Sequence, residues 1–189
     1  MTPELWLASG SPRRRELLTA LGYVFEARPT GIDETRRPGD DPVAHARRLA
    51  VDKAHAADAD AGWVVLAADT VVHAGDAIYD KPTSRDEARA HLRAMSGGWH
   101  AVTTGVCVRH GTSHDAFTVS TRVRLRTLLD SEIDRYLATG DADDKAGAYG
   151  IQSGGGVFVA ELQGSWTNVV GLPLEPTVEA LARAGVERA

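Results

Sequence analysis

Leu5-Trp6-Leu7-Ala8-Ser9-Gly10-Ser11-Pro12-Arg13-Arg14-Arg15 sets an apolar strand directly before a helix start. An apolar run suited to a buried strand passes through serines and a glycine into a proline and successive arginines. Ser11 is a good N-cap, and Pro12 suits the first helical position, where its missing N–H costs nothing. A strand that delivers directly into a helix start is the opening unit of an α/β fold. The same turn gathers backbone donors, hydroxyls and guanidinium groups, which is a natural seat for phosphate. An ordinary capped helix with a solvated basic turn would have the same residues. The G-x-x-x-x-G-K-[ST] spacing of a Walker loop is absent.

Further along the chain, strands and helices continue to alternate. The first strand covers Glu4–Ala8, and its helix runs from Pro12 to Leu21, where Gly22 closes it. Val24–Ala27 reads as a short strand leading into the polar loop Thr30–Asp40. Asp41-Pro42 opens a long helix with Val43, Ala46, Leu49, Ala50 and Lys53-Ala54 at helical spacing. Trp63–Ala68 is a strongly apolar strand, and Val71–Tyr79 reads as a hairpin turning at Ala74-Gly75-Asp76. Ser84-Arg85-Asp86-Glu87 is a capping box opening a helix to about Met95.

Two long β segments follow, near His100–Arg109 and Ala116–Arg126. The second alternates Val119, Thr121, Val123 and Leu125 with Ser120, Arg122, Arg124 and Arg126, which predicts a solvated arginine face. Ser131–Thr139 reads as a helix, Val157–Leu162 as a strand and Leu174–Ala184 as a terminal helix. The expected architecture is α/β, a mixed twisted sheet flanked by helices with an active-site cleft, in a single domain over 1–189.

Composition narrows the function classes. A formal charge of −5 over 189 residues argues against a general nucleic-acid binder and suits a local arginine cluster to a small anionic ligand. Cys107 is the sole cysteine, so neither an intrachain disulfide nor a cysteine zinc site is expected, and its apolar neighbours predict a buried strand residue. No signal peptide and no membrane-length apolar run is visible. The expectation is a cytoplasmic protein with no membrane partner.

Polar residues at strand ends carry the chemistry in such folds. Asp69, directly after the apolar Trp63–Ala68, is expected to project from a rigid strand end as a general base or metal ligand, or to cap a turn. Lys81, before Pro82, reads either as a phosphate partner or as an exposed turn lysine. Glu34 in the loop and Lys53 on the following helix carry no distinctive signal alone. Asp143–Gln152 packs glycines, Tyr149 and the Gln152 amide into a short non-helical run suited to planar-ring recognition, and Ser153-Gly154-Gly155-Gly156 extends its flexibility. His45, His55, His91, His100, His110 and His114 lack H-E-x-x-H spacing; neither a G-x-S-x-G elbow nor a G-x-G-x-x-G fingerprint is present.

The ordered set of Ala8–Arg14, Asp33-Glu34-Thr35, Leu49-Ala50-x-x-Lys53-Ala54, Ala68-Asp69-Thr70-Val71-Val72, Lys81-Pro82, Met95-Ser96-Gly97, Asp144–Gln152 and Val169–Pro173 closely resembles the Maf (septum-formation) family. The resemblance extends from Leu5 to Leu181. It implies a fold related to the house-cleaning inosine triphosphatases. The implied activity is a nucleoside triphosphate pyrophosphatase that releases a nucleoside monophosphate and pyrophosphate, with Mg²⁺ or Mn²⁺. On that resemblance Ser9, Ser11, Arg13, Arg14, Lys53 and Lys81 hold phosphates, and Asp69 activates water. Asp69 or Glu34 holds the ion, and a homodimer is implied.

The base is also addressed by the resemblance. The subgroup hydrolysing dTTP and UTP carries arginine, threonine and glutamine at three positions that here are Arg13, Thr70 and Gln152. The sister subgroup preferring 7-methyl-GTP carries tryptophan, glutamine and glutamate. A cationic methylated guanine suits tryptophan and glutamate, whereas the neutral uracil or thymine edge suits a side-chain amide. dTTP and UTP, with modified pyrimidine nucleotides, are therefore the expected substrates. The rival readings are 7-methyl-GTP or broad specificity, and a non-catalytic nucleotide-binding regulator of septation. Departures from the family pattern are Asp80 in place of a glutamate, Trp166-Thr167-Asn168, and Arg36-Arg37 near Glu34.

Overall fold

Apolar Leu5, Trp6 and Leu7 form β1 (Glu4–Leu7), and the serine–proline turn delivers it into α1 (Pro12–Ala20) in the computed structural model, which describes residues 3–188. Ser11 sits at the N-cap but its side chain makes no cap bond. Gly22 ends the helix at φ 81°, with its N–H donating to Thr19 O and that of Tyr23 to Leu18 O. That double bond to the last turn is the reason a glycine is required there. The expected strand Val24–Ala27 shrinks to β2 (Glu26–Ala27), because Val24 is 80% exposed and has no face to cover.

α2 (Pro42–His55) starts as expected, with Asp41 Oδ1 accepting from Ala44 N at 2.7 Å. Its buried side includes His45, Ala46, Leu49, Ala50 and Ala54, whereas Val43 is exposed. β3 (Trp63–Ala74) is one continuous strand, paired through the Gly75-Asp76 turn with β4 (Ala77–Tyr79) in the register Val72↔Tyr79 and Ala74↔Ala77. Asp69 therefore lies inside a 12-residue strand and not at a strand end. A polar Asp-Thr pair in an apolar run looks like a terminus to a pattern, yet the backbone pairing carries on past it.

α3 (Arg85–Met95) is capped by Ser84 Oγ, which accepts from Glu87 N; the Glu87 carboxylate turns back to Thr83 N and Oγ1, both at 2.7 Å. There follow β5 (Trp99–His110), β6 (Ser113–Leu125), α4 (Asp130–Leu137), single 3₁₀ turns at Ala146–Ala148 and Gly154–Phe158, β7 (Val159–Gln163), α5 (Trp166–Val170) and α6 (Leu174–Arg183). The expected strand from Val157 thus begins at Val159, and α5 had no signal in the spacing. The seven strands form one sheet in the order β2-β1-β3-β5-β6-β7, with β4 on β3. β1 pairs in parallel with β2 and β3, while β3–β4 and β6–β7 are antiparallel, so the sheet is mixed and helices flank it. Among the described residues no helix is long and apolar enough to cross a membrane.

The chain groups into two compact units, the first made of 1–69, 104–119 and 171–189 and the second of 70–103 and 120–170. In the first, Trp6, Ala8, Ala50, Ala54, Val65, Ala67 and Cys107 pack together, and burial pushes the Cys107 thiol up to about 11, as suits an inert core residue. In the second, Leu92, Met95, Val123, Leu125, Ile133 and Phe158 form the core. The outward arginines Arg122 and Arg124 of β6, with Arg126 just past its end, form the expected solvated face: Arg122 lies 4.5 Å over the Trp99 ring, Arg124 pairs with Glu161, and Arg126 pairs with Glu132.

The glycine-rich segment of the second unit is packed. A Cβ on Gly155 would sit 2.8 Å from Gly150 N, and one on Gly147, at φ 74°, would sit 2.9 Å from Val72 Cγ1. Tyr149, expected to face a planar ring, is buried, and its hydroxyl lies 2.8 Å from His100 Nε2. Burial, reinforced by His73, pushes His100 down to about 4. An unfolded histidine protonates near 6.5, so as pH falls through that window only the unfolded chain takes up the proton. Stability should therefore fall from about pH 6.5 to 4, by about 3 kcal/mol at the lower end. Urea melts across that range should show the slope, and His100→Gln should flatten it.

Candidate active site

Within the first unit, secondary structure brings distant residues onto shared partners. Ser9, just beyond β1, accepts with its Oγ from Ser11 N at 3.2 Å and from Arg14 Nη1 at 3.0 Å. Both lone pairs are thereby used, and its O–H is the capacity that remains for an acceptor. Arg14 is buried on α1, and its Nε donates to Gly171 O at 2.8 Å, a contact across 157 residues of chain. Burial lowers the Arg14 pKa, opposed by the carboxylates of Asp69 and Glu34; Arg13 adds to the lowering. The guanidinium stays charged, since arginine does not deprotonate in proteins. Ser11 and Arg13 flank it, each partly exposed at the start of α1.

The second cluster centres on an ammonium. Lys53, from the last turns of α2, donates from Nζ to Asp69 Oδ1 at 2.6 Å and pairs with Glu34 Oε1 at 2.8 Å. The Lys53 and Asp69 side chains are 12% and 13% exposed, while Glu34 is 57% exposed. Lys53 lies on the same stripe of α2 as the buried Ala46, Leu49 and Ala50, three to seven residues before it, so that packing turns it inward; Thr30 Oγ1 ties the preceding loop to Lys53 O at 3.1 Å. Asp69 is half-buried on β3, the strand that pairs with β1. A half-buried carboxylate held through one oxygen on a lysine is poised as an acceptor.

The structure thus joins Ser9 with Arg14, and Glu34 with Lys53 and Asp69, and sets Arg14 within the field of both carboxylates. Thr70, Lys81 and Gln152 belong to the second unit, where Thr70 is half-buried on β3 and Lys81 and Gln152 are exposed. Two features escaped spacing. The Gly171 carbonyl that orients Arg14 lies in a run already legible as a motif, but carries no side chain to announce a role. The Glu34–Lys53–Asp69 chain needed the fold.

Among the described residues, no group of three or more histidine, cysteine, aspartate or glutamate side chains could hold a metal ion. Glu34 and Asp69 offer two carboxylates on one partner atom. Such a hard, oxygen-only pair fits Mg²⁺ or Mn²⁺, which need few protein ligands when waters and phosphate oxygens complete the shell.

Arg14→Lys tests the first cluster. A lysine keeps the charge but cannot serve Gly171 O and Ser9 Oγ from one planar fork. Urea unfolding should show a loss of about 1–3 kcal/mol, the cost of leaving buried acceptors unmatched.

Ser9 with the buried Arg14, and a lysine-held carboxylate pair, make up the candidate site on this α/β sheet. The model of the Maf-like protein family matches residues 4–184, and the chain belongs to that family. Similar relatives include proteins named dTTP/UTP pyrophosphatase from Anaeromyxobacter dehalogenans (strain 2CP-C), 50% identical over 98% of this chain and 96% of its own, and from Chromobacterium violaceum, 47% identical over 97% and 96%. One of the same name from Escherichia coli O157:H7 is 45% identical over 94% of this chain and 91% of its own. Among solved structures, a HAM1 protein from Coxiella burnetii aligns with a TM-score of 0.42 at 18% identity, over 65% of this chain and 73% of its own.

Proposed function

We propose that this protein is a nucleoside triphosphate pyrophosphatase acting on dTTP and UTP. The observation that carries the reading is Lys53 Nζ held between Asp69 and Glu34 within the field of buried Arg14. Full-length relatives bearing the name dTTP/UTP pyrophosphatase support the substrate. In the reaction a water oxygen bonds to the α-phosphorus, the bond from that phosphorus to the α–β bridging oxygen breaks, and pyrophosphate leaves. Asp69 takes the water proton. Ser9 and Ser11 hold the phosphates by hydrogen bonds, and Arg13, Arg14, Lys53 and Lys81 neutralise their charge, which must happen before a nucleophile can approach so anionic a centre.

Glu34 and Asp69 would hold a divalent Mg²⁺ or Mn²⁺. When bound, that ion supplies charge neutralisation on the phosphate oxygens and acidifies water. Lys53 Nζ meets both carboxylates and keeps them aimed at one place. Arg13, Thr70 and Gln152 are the residues we assign to the pyrimidine, the Gln152 amide matching a carbonyl beside an N–H. Cytoplasmic location and a homodimer complete the reading.

Pyrophosphate release from dTTP, UTP, CTP, GTP, 7-methyl-GTP and ITP, with and without Mg²⁺ or Mn²⁺, tests it. Metal-dependent turnover led by dTTP and UTP is expected. Preference for 7-methyl-GTP would overturn the base assignment, and no turnover of any triphosphate would replace the enzyme reading with a binding regulator.

A further inference from the structure

Glu34 is more than half exposed and lies in a stretch without regular secondary structure, so packing does not fix its carboxylate on Lys53. Its backbone neighbours are tied to α2 on both sides. On one side Thr30 is tied to Lys53 O. On the other, a single side chain gathers the loop. Arg48, on α2 and only 13% exposed, donates from Nη2 to Thr35 O at 3.0 Å and to His45 Nδ1 at 3.0 Å. Its Nε donates to Asp40 Oδ2 at 2.9 Å and its Nη1 to Asp52 Oδ2 at 3.1 Å. Thr35 follows Glu34, Asp40 closes the loop, and Asp52 precedes Lys53. One planar guanidinium therefore grips both the peptide next to Glu34 and the residue next to the lysine that Glu34 meets.

Two other arginines border the network. Arg37 reaches Asp52 only at 3.4 Å, and Arg36 donates to Asp40 O from within the loop itself.

We propose that Arg48 is a positioning residue that holds Glu34 against Lys53 by bracing the 33–40 loop onto α2. The proposal rests on the reading of Glu34 as a site residue. A guanidinium is needed because its donors are fixed in one plane, whereas a lysine ammonium at the same place is a point charge that cannot meet a carbonyl and two carboxylates together. Arg48 touches no substrate and acts only through the loop.

The test is a double-mutant cycle on the full chain with Arg48→Gln, Glu34→Gln and the pair, read as kcat and KM for dTTP. It is joined by hydrogen exchange of the 33–40 amides without substrate. Arg48→Gln is expected to cost about tenfold in kcat/KM and to speed exchange in the loop, and to cost nothing further once Glu34 is already Gln. An equal Arg48→Gln penalty in both backgrounds, or unchanged loop exchange, would overturn the proposal. Arg48→Lys, which keeps the charge and the fold if Gln does not, should behave like Gln; wild-type loop exchange in Arg48→Lys would likewise overturn it. If Glu34→Gln alone is silent, the role of Glu34 fails, and loop exchange still decides whether Arg48 braces the loop.

Discussion

Asp69→Asn is expected to lower kcat for dTTP about 10²–10⁴-fold, the range a positioned general base contributes, while KM stays within a few-fold. The substitution is nearly isosteric. Its amide oxygen can still accept from Lys53 Nζ, now 2.6 Å from Asp69 Oδ1, so the strand and the lysine keep their places. What disappears is basicity and one negative charge. The fold should change little, because Lys53 retains Glu34 as a partner. Steady-state kinetics across a Mn²⁺ titration separates the two roles of Asp69. If it serves as base, the loss persists at saturating metal; if it mainly holds the ion, added Mn²⁺ restores most of kcat and the half-saturating concentration rises. A wild-type rate at ordinary metal concentration would remove Asp69 from the chemistry altogether.

The largest stability effect is expected at a residue with no chemistry. A Cβ on Gly105 of β5 would lie 2.3 Å from Ala46 O, 2.5 Å from Ala46 C and 2.8 Å from Arg47 Cα. All three are backbone atoms of α2, which cannot rotate out of the way as a side chain does. The helix must therefore move off the strand, and the buried Ala46, Leu49 and Ala50 move with it. Overpacking usually costs about 1–3 kcal/mol, and a backbone-on-backbone clash belongs at or above the top of that range. Gly105→Ala should accordingly lower Tm by about 6–12 °C for a chain of this size. Because α2 also carries Lys53 and Arg48, kcat should fall in the same variant. Gly31→Ala is the control: nothing lies within 4 Å of its Cβ, and its stability should stay within about 0.5 kcal/mol of wild type. A Gly105→Ala variant as stable as that control would mean that β5 and α2 do not approach as described.

The amino-acid sequence alone determined the features that depend on neighbours along the chain. Pro12 and Asp41-Pro42 start their helices, Ser84 caps α3, and Gly22 closes α1 in a left-handed turn, because caps and termini are written within a few residues. The two-residue period of β6 likewise announced which arginines face outward. The serine turn and Asp69 stood out as candidates from their own position, each with a plain structural alternative, whereas Glu34 and Lys53 were singled out only through the ordered motifs of a family, since a lone glutamate in a loop or lysine on a helix has no distinguishing pattern. The tertiary structure decided the rest. It ran β3 straight through Asp69, turned Tyr149 inward onto His100, exposed Val43 and buried His45, and seated Arg14 on the carbonyl of Gly171. It also joined Glu34, Lys53 and Asp69 on one atom and pressed Gly105 against α2. Each of those outcomes is a contact between residues far apart in the chain, settled by which backbones pair and pack, and local spacing carries no term for that separation.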